Sequence, residues 1–286
     1  MSEHIDPTPE PVRAARSFDQ VSDAYARARP SYPREAAAWL AAGTTDVVLE
    51  LAAGTGKLTE QLVGLGRHVL ASDPSPEMLA QLTRRLPGTP TLRAPAEDIP
   101  LRSGSVGLVV AAQAYHWFDA ARTLPEVARV LRPGGVFAAL WNLRDERIPW
   151  VRRLGALIGS QEQNSDPTAD LDGSGLFETV QSATFRFWQP LDQQSLRDLV
   201  TSRSNVATLP QTQREQLLRK VDALYEEYGR GADGMLLPYL TKCFRAVVRP
   251  GAAGGTERDV AATRSRPEPP VGPDRLETDE LLIDFR

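Results

Sequence analysis

The chain has 286 residues and a formal net charge of −4, with an isoelectric point near 5.6. This balance lacks the basic surplus by which proteins bind duplex nucleic acid, and the single cysteine, Cys243, excludes an internal disulfide and a cysteine-based metal cluster. No apolar stretch approaches the ~20 residues of a membrane span, and the amino terminus has no apolar leader segment. The composition therefore predicts a cytoplasmic globular protein with no resident metal and no membrane partner.

Both ends of the chain differ in composition from its middle. Residues 1–16 contain three prolines and little periodicity, which predicts a flexible arm. Residues 249–286 carry clustered Gly, Pro, Arg and Glu without a periodic apolar face before residues 281–285, which predicts a disordered tail. Between them lies the predicted folded domain, residues 17–248, which begins with two predicted helices at 18–27 and 34–42.

Residues 47–73 predict a nucleotide pocket. An apolar run containing Glu50 is followed by a tight turn at Gly54-Thr55-Gly56, a helix-patterned segment, and a second apolar run that ends at Asp73. A strand, glycine turn, helix and strand in this order place a nucleotide at the carboxyl edge of a parallel sheet. Glycines suit the turn because backbone N–H groups approach a ligand closely where no Cβ intervenes.

Strands and helices alternate through the rest of the domain. Helices are predicted at 57–65, 76–86, 120–131, 149–158, 193–202 and 211–228. Strands are predicted at 89–93, 105–112, 136 to about 142, 177–188 (antiparallel) and 235–248, and a polar loop at 159–175. This alternation favours a doubly wound α/β fold, in which helices cover both faces of a mostly parallel sheet.

The pattern Glu50-x-x-x-Gly54-x-Gly56 resembles motif I of the class I S-adenosylmethionine-dependent methyltransferases, whose usual form is E/D-x-G-x-G-x-G. The chain departs from it at the first glycine, where Ala52, the smallest replacement, stands. Dinucleotide-binding turns instead read G-x-G-x-x-G/A, a pattern that Thr59 breaks. The LRPGG turn at 131–135 is a further feature shared with the methyltransferases, and the resemblance covers residues 17–248.

This resemblance implies a Rossmann-like methyltransferase fold with a seven-stranded sheet. It divides the domain into a helical lid at 17–43, a cofactor-binding core at 47–142, and substrate-side elements with the last strands at 143–248.

The resemblance also implies S-adenosylmethionine as cofactor and assigns its contacts. Asp73 would accept hydrogen bonds from the ribose hydroxyls, its alternative role being a cap for the turn at Pro74. Asp98 would face the adenine amino group, its alternative role being a solvated loop acid. The predicted cofactor residues are Glu50, Ala52, Gly54, Thr55, Gly56, Asp73, Pro74, Met78, Ala96, Glu97, Asp98, Gln113, Tyr25 and Arg29.

The pattern Y-x-x-x-R-P-x-Y-P at residues 25–33 resembles the lid of trans-aconitate methyltransferase-like enzymes. In this resemblance Arg29 would pair with the carboxylate at the methionine end of the cofactor, its alternative being a surface charge. The predicted substrate-binding residues are Tyr32, Tyr115, Trp117 and Trp141.

His116 is the candidate catalytic base, because histidine titrates near neutrality and could take a proton from a hydroxyl or amine. The alternative is that His116 and Trp117 only form a wall of the pocket. A sulfonium methyl group is already activated, and a carboxylate nucleophile needs no base, so positioning alone can supply most of the rate.

No N/D-P-P-Y/F tetrapeptide follows the fourth strand, and no cysteine stands near it. These absences argue against nitrogen-directed DNA or protein-glutamine methylation and against pyrimidine C5 methylation. The sequence therefore predicts O-methylation of a carboxylate or hydroxyl on a small-molecule acceptor, by a monomer or homodimer without a nucleic-acid partner. Two alternatives stay open: a cofactor-binding regulatory protein without activity, and a nicotinamide-dependent oxidoreductase.

Overall fold

A computed structural model describes residues 29–44, 47–159, 166–203, 206, 208–229 and 234–252 of the chain. Its elements are, in chain order, α1 (Arg34–Leu40), β1 (Val48–Leu51), α2 (Lys57–Gly64), β2 (Val69–Ser72), α3 (Pro76–Arg85), β3 (Thr91–Leu92), β4 (Val106–Ala112), α4 (Ala120–Val130), β5 (Leu131–Arg144), α5 (Pro149–Ile158), α6 (Thr168–Ser174), β6 (Gln181–Leu191), α7 (Gln193–Thr201), α8 (Gln211–Tyr228) and β7 (Met235–Val247). A 3₁₀ turn at Tyr115–Trp117 lies between β4 and α4.

The strands form one seven-stranded sheet in the order β3-β2-β1-β4-β5-β7-β6. Strands β1 to β5 pair in parallel, whereas β7 lies antiparallel between β5 and β6. The central strand β4 is a continuous apolar run that is buried except at its last residue, as expected where both faces of a parallel sheet are covered. The predicted doubly wound, mostly parallel α/β sheet is therefore confirmed.

Helices cover both faces of the sheet. Successive residues of a strand point to opposite faces, and the buried residues divide accordingly. On one face Leu40 of α1 and Leu62 of α2 pack against Leu140. On the other face Leu124 of α4 belongs to the same cluster as Phe137. A third cluster, built from α5, α7 and α8, covers the first half of β7.

The predicted polar loop at 159–175 is wrong over Thr168–Ser174, which forms α6. The polar sequence offers no periodic apolar face, so tertiary contacts decide its structure. Leu171 is buried in the core cluster of the second sheet face, and the Asp166 carboxylate accepts a hydrogen bond from the Thr168 N–H at 2.9 Å. Burial of Leu171 and a local hydrogen bond before the helix therefore help to hold α6 in place.

The predicted arm and the predicted helix at 18–27, including Tyr25, lie outside the described residues, as do residues 253–286 of the predicted tail. The proposed domain boundaries at 17 and 248 stay predictions. The described chain continues past β7, where the N–H of Arg249 donates to the carbonyl of Leu176 at 2.8 Å. Within the described ranges, no helix combines the length and apolar character needed to cross a membrane.

Candidate active site

A cavity of about 270 Å³ opens at the carboxyl edge of the parallel strands. Its wall combines the segment before α1, the turn after β1, the ends of β2 and β4, and the start of α3. The lining residues are Arg29, Pro30, Tyr32, Glu50, Ala52, Ala53, Gly54, Thr55, Lys57, Leu58, Asp73, Met78, Ala112, Gln113, Ala114 and Trp117. The structure therefore brings together ten of the residues that the sequence predicts for the site, from Arg29 and Tyr32 to Gln113 and Trp117.

The turn after β1 has a left-handed backbone at three positions. Ala52 has φ +50°, Gly54 +55° and Gly56 +79°, and such angles cost little only for glycine. A Cβ at Gly54 would meet no atom within 4 Å, so the space beside this cavity residue is open. A Cβ at Gly56 would instead lie 2.9 Å from Leu82 Cγ, and Gly56 does not line the cavity. Gly56 therefore lets α2 approach α3, and Gly54 leaves the cavity clear.

Asp73 combines a turn role with access to the cavity. Its Oδ2 accepts the N–H of Gly54 at 2.9 Å, and its Oδ1 accepts the N–H of Ser75 at 2.9 Å. Each carboxylate oxygen has a second lone pair, and the residue lines the cavity. The geometry therefore holds the glycine turn in place and still leaves acceptor capacity for a ligand hydroxyl.

Glu50 is a buried carboxyl group at the floor of the cavity. Its Oε2 accepts a hydrogen bond from Thr59 Oγ1 at 2.6 Å. Burial raises the pKa of Glu50 to about 8, the Thr59 hydrogen bond acts against this, and the nearby Asp73 charge adds to it. Thr59 breaks the dinucleotide pattern, and it is here the hydrogen-bond partner of the motif I carboxyl.

A hydrogen-bonded chain links the lid pattern to the ends of β4, β5 and β7. Gln113, with a left-handed φ of +57°, donates from Nε2 to the carbonyl of Asn142 at 3.1 Å. Asn142 in turn donates to the carbonyl of Ser31 at 2.8 Å and accepts from Thr241 Oγ1 at 2.6 Å. This chain fixes the segment that carries Arg29 and Tyr32 against the sheet edge.

Several predicted cofactor residues lie away from the cavity wall. Glu97 accepts the N–H of Asp119, at the start of α4, at 3.0 Å. Asp98 is exposed and Ala96 is buried, and neither lines the cavity. Pro74 also lies outside the lining, next to Asp73. Their predicted cofactor contacts stay predictions, and Glu97 has a structural partner of its own.

Tyr115 and Trp141 are buried in the core and do not line the cavity. The Tyr115 ring lies edge-on to Trp141, with ring centroids 6.5 Å apart, and its hydroxyl donates to Asp170 Oδ2 at 3.1 Å. Burial, the Asp170 charge and this hydrogen bond all raise the pKa of Tyr115. The apolar stretches around both residues explain why they pack inward, and the structure favours a structural role over the predicted substrate contact.

His116 precedes the cavity residue Trp117 and does not itself line the cavity. Its Nδ1 accepts a hydrogen bond from Trp141 Nε1 at 3.3 Å, and partial burial of the ring lowers the pKa of His116. Its ring centroid is 4.9 Å from that of Trp117, which lines the cavity with 79% of its surface exposed. The imidazole therefore supports an exposed aromatic side chain at the cavity mouth.

Sequence reasoning missed six lining residues: Pro30, Ala53, Lys57, Leu58, Ala112 and Ala114. Lys57 and Leu58 follow Gly56 directly and begin α2, so their place after the glycine turn was a usable signal. Burial, followed by the Arg85 charge, lowers the pKa of Lys57. The three alanines have no reactive group that the sequence could have pointed to, and their small side chains take up little of the cavity.

These residues fit an adenosine-containing cofactor. The open space at Gly54, the acceptor capacity of Asp73 and the apolar side chain of Met78 together supply the contacts that a ribose and an adenine need. Among the described residues, no group of three or more His, Cys, Asp or Glu side chains could hold a metal ion.

Comparisons with known proteins identify the family. A family model described as a methyltransferase domain matches residues 49–139. A protein of Mycobacterium tuberculosis (strain ATCC 25618 / H37Rv), named as a methyltransferase, is 47% identical over 235 residues, covering 81% of this chain and 96% of the relative. A methyltransferase-like protein of Schizosaccharomyces pombe is 30% identical over 238 residues, covering 79% of this chain and 93% of the relative.

A solved structure from Anaeromyxobacter dehalogenans, named as a type II methyltransferase, shares the fold. Its TM-score is 0.58 at 24% identity, and the match covers 79% of this chain and 99% of that chain. The methyltransferase prediction is confirmed by the sequence relatives, and the two alternatives, a regulatory protein and an oxidoreductase, are set aside. The chain belongs to the class I S-adenosylmethionine-dependent methyltransferases, and it is a methyltransferase enzyme whose cofactor is S-adenosylmethionine.

Proposed function

We propose that this enzyme methylates an oxygen atom of a small molecule, and that the acceptor atom is a carboxylate oxygen. The observation that carries this proposal is the hydrogen bond made by His116, whose ring contacts the cavity residue Trp117. Its Nδ1 accepts the indole N–H of Trp141, so in the neutral ring the proton resides on Nε2. A ring in this tautomer has no free lone pair with which to accept a proton from a hydroxyl or amine nucleophile.

The two carboxyl groups of the cavity wall each have a hydrogen-bond partner within the protein. Asp73 accepts two backbone N–H groups, and Glu50 lies buried behind Thr59 at the carboxyl end of β1. A lysine and an arginine, Lys57 and Arg29, complete the charged lining. A carboxylate nucleophile needs no base, and the cationic side chains of Lys57 and Arg29 in the cavity wall favour a negatively charged acceptor.

S-adenosylmethionine supplies a methyl group whose transfer forms a C–O bond, breaks the C–S bond and leaves the bonding electron pair on sulfur, giving a methyl ester and S-adenosylhomocysteine. The carboxylate loses its charge as the sulfonium loses its own, so no proton moves. The enzyme's residues then act by orientation. Trp117 and Tyr32, which flank the cavity, are the side chains that we assign to the acceptor.

Product chemistry tests the proposal. The protein is incubated with methyl-labelled S-adenosylmethionine and a small-metabolite extract, and the products are treated with mild alkali. Methyl esters of carboxylates release labelled methanol, whereas methyl ethers and methylamines do not. Release of the label as methanol is the expected result. Label that stays on an alkali-stable product would assign the transfer to a hydroxyl or amine and overturn the carboxylate proposal.

A pH–rate comparison tests the role of His116 independently. We expect His116→Asn to lower the rate less than about tenfold and to leave the shape of the pH profile unchanged, because a base would contribute about 10²–10⁴-fold. The exposed His68 provides a matched control as His68→Asn. A rate loss of about 10²–10⁴-fold in His116→Asn would make His116 a base and favour a hydroxyl acceptor. In that case the wild-type rate should also fall as the pH drops below the pKa of the histidine.

A further inference from the structure

Three arginines converge just beyond the carboxyl end of β5. Arg144 is the last residue of β5 and pairs with Tyr239 of β7 in the strand register. Arg203 follows α7, and Arg29 donates from Nη2 to the carbonyl of the preceding Ser202 at 3.4 Å. The guanidinium groups of Arg29, Arg144 and Arg203 lie near enough to act on the same neighbours electrostatically. We call these three side chains the arginine cluster.

Arg144 is buried to an extent unusual for an arginine. Its side chain is 2% exposed, and guanidinium groups are rarely buried unless they are paired. Nη2 donates to the carbonyl of Gly159 at 2.6 Å and to Glu146 Oε1 at 3.3 Å. Its Nε is buried and has no hydrogen-bond partner. The described surroundings of Arg144 therefore satisfy part of its donor capacity.

Arg203 is the less engaged member of the cluster. Its Nε is also buried without a hydrogen-bond partner. Among the described residues, no hydrogen bond or ion pair engages its guanidinium group. The pKa of Arg203 is lowered to about 10, first by burial and then by the charges of Arg144 and Arg29, while Tyr239 and Glu146 act in the opposite direction. The fold therefore places the Arg203 guanidinium close to two other positive charges, those of Arg144 and Arg29.

The described acids next to the cluster already have arginine partners. Glu146 is the carboxylate that pairs with Arg144, whereas the adjacent Asp145 is bound by Arg147 through two hydrogen bonds of 2.7 Å. Burial raises the pKa of Tyr239, which therefore stays a neutral hydroxyl. The two buried Nε donors without a hydrogen-bond partner, on Arg144 and Arg203, favour an additional acceptor, because an unsatisfied buried donor costs free energy.

Arg29 connects the cluster to the cavity. It lines the cavity wall, and its guanidinium reaches the loop that carries Arg203. The carbonyl of Asn142, two residues before Arg144 in β5, accepts from Gln113 of the same wall. The cluster and the cavity therefore share one sheet edge and one side chain.

We propose that Arg203, together with Arg144 and Arg29, binds a carboxylate of the methyl acceptor. Guanidinium groups bind carboxylates through paired, charge-assisted hydrogen bonds, and the unused Nε donors of Arg203 and Arg144 supply them. This inference rests on the proposed function, because it identifies the acceptor as a small organic acid. The carboxylate at the methionine end of the cofactor is the other source of the same chemistry.

Binding measurements on the full chain separate these sources without requiring turnover. Glutarate, adipate and benzoate, and their amides as uncharged counterparts, are titrated by calorimetry into protein saturated with S-adenosylhomocysteine. The proteins compared are the wild type, Arg203→Gln, Arg203→Lys, and Arg219→Gln as a control at an exposed arginine of α8. S-adenosylhomocysteine is titrated into each free protein, and urea denaturation checks separately that every variant folds.

We expect at least one acid, and no amide, to bind the wild type and Arg219→Gln. Arg203→Gln should bind that acid at least about tenfold more weakly, Arg203→Lys should recover part of the loss, and affinity for S-adenosylhomocysteine should stay within about twofold. Equal loss of S-adenosylhomocysteine affinity in Arg203→Gln would assign the cluster to the cofactor. Undiminished acid binding by Arg203→Gln, or no acid binding by the wild type, would also overturn the proposal. The alkali test can fail independently of these binding measurements. It reports which atom is methylated, whereas the titrations report whether the arginine cluster binds a carboxylate.

Discussion

At the residue scale, the site depends on side chains that serve the fold and the ligand together. Ala52 illustrates this, since it stands where the family motif has glycine and adopts the glycine-like φ of +50°. A non-glycine residue in this region costs about 1–2 kcal/mol. The surrounding hydrogen bonds maintain the turn, among them the one from Ala53 N–H to the Ser72 carbonyl at 2.9 Å. The departure from the motif therefore changes the residue and not the path of the backbone.

Asp73→Ala tests the carboxylate that lines the cavity. We expect affinity for S-adenosylhomocysteine to fall by on the order of 2–3 kcal/mol, because ribose hydroxyls lose a charged acceptor. The free energy of unfolding should also fall, since the N–H groups of Gly54 and Ser75 lose their acceptors. Calorimetry and urea denaturation measure the two effects, with Glu178→Ala as a control at an exposed carboxylate. Reduced stability with unchanged affinity would leave Asp73 only the turn-capping role.

Glu50→Gln tests the buried carboxyl group through the pH dependence of stability. The folded-state pKa of Glu50 is raised from 4.5 to about 8, so between these values the folded protein binds the proton more strongly than the unfolded chain does. The Glu50 contribution to stability is therefore fully present below pH 4.5 and is lost as pH rises through 8. The neutral amide cannot ionise, so the variant should gain stability relative to the wild type as pH rises.

Urea denaturation of both proteins across this pH range measures the difference. Thr59→Val serves as the companion variant, because it removes the hydroxyl that donates to Glu50 and leaves the carboxyl titratable. Parallel stability curves for wild type and Glu50→Gln would show that Glu50 titrates in the folded protein as it does in the unfolded chain.

At the element scale, regular periodicity made most of the fold predictable. Helices α5 and α8 form with the predicted bounds, Pro149–Ile158 and Gln211–Tyr228, because each has a proline boundary and an apolar face. The glycine turn, Glu50 near the end of β1 and Asp73 directly after β2 predicted the cofactor side of the site for the same local reason. Helix α6 was missed because its formation depends on Leu171 packing into the core of a distant segment.

The acceptor side of the site was less predictable for a similar reason. Sequence alone gives Tyr115 and Trp117 the same apolar, aromatic character. In the fold, the 3₁₀ turn directs Tyr115 into the core and leaves Trp117 exposed at the cavity. The arginine cluster joins residues that are 115 and 59 positions apart along the chain, from Arg29 to Arg144 and on to Arg203. Only the register of β5 with β7 and the docking of α7 bring them together.

Tyr115→Phe tests the docking of α6 on the core. The change removes the hydroxyl that donates to Asp170 at 3.1 Å and keeps the ring. We expect the free energy of unfolding to fall by about 0.5–1.5 kcal/mol, because one hydrogen bond is lost and its acceptor, Asp170, is exposed to solvent. Tyr228→Phe, whose exposed hydroxyl accepts from Arg153 at 3.0 Å, should cost less in urea denaturation. Equal costs would indicate that the Tyr115–Asp170 bond contributes no more than a surface contact.

At the whole-molecule scale, the described chain keeps contacts with the domain for a few residues beyond β7. Val248 is buried, and its N–H donates to the carbonyl of Gly135 at 2.9 Å. Arg249 donates from its backbone N–H to Leu176 at 2.8 Å and from Nε to the carbonyl of Phe177 at 2.6 Å. These contacts close the end of β7 against the LRPGG turn and the segment after α6. Arg249, the residue after the predicted boundary at 248, therefore also contacts the domain.

Two truncations test this boundary. A chain ending at residue 252 should keep the melting temperature and the S-adenosylhomocysteine affinity of the full chain, because the composition of residues 253–286 predicts no core-forming segment. A chain ending at residue 247 loses one buried valine and the hydrogen bonds of Val248 and Arg249. It should lose on the order of 2–4 kcal/mol of stability. A lower melting temperature in the chain that ends at residue 252 would show that residues 253–286 contribute to the folded domain.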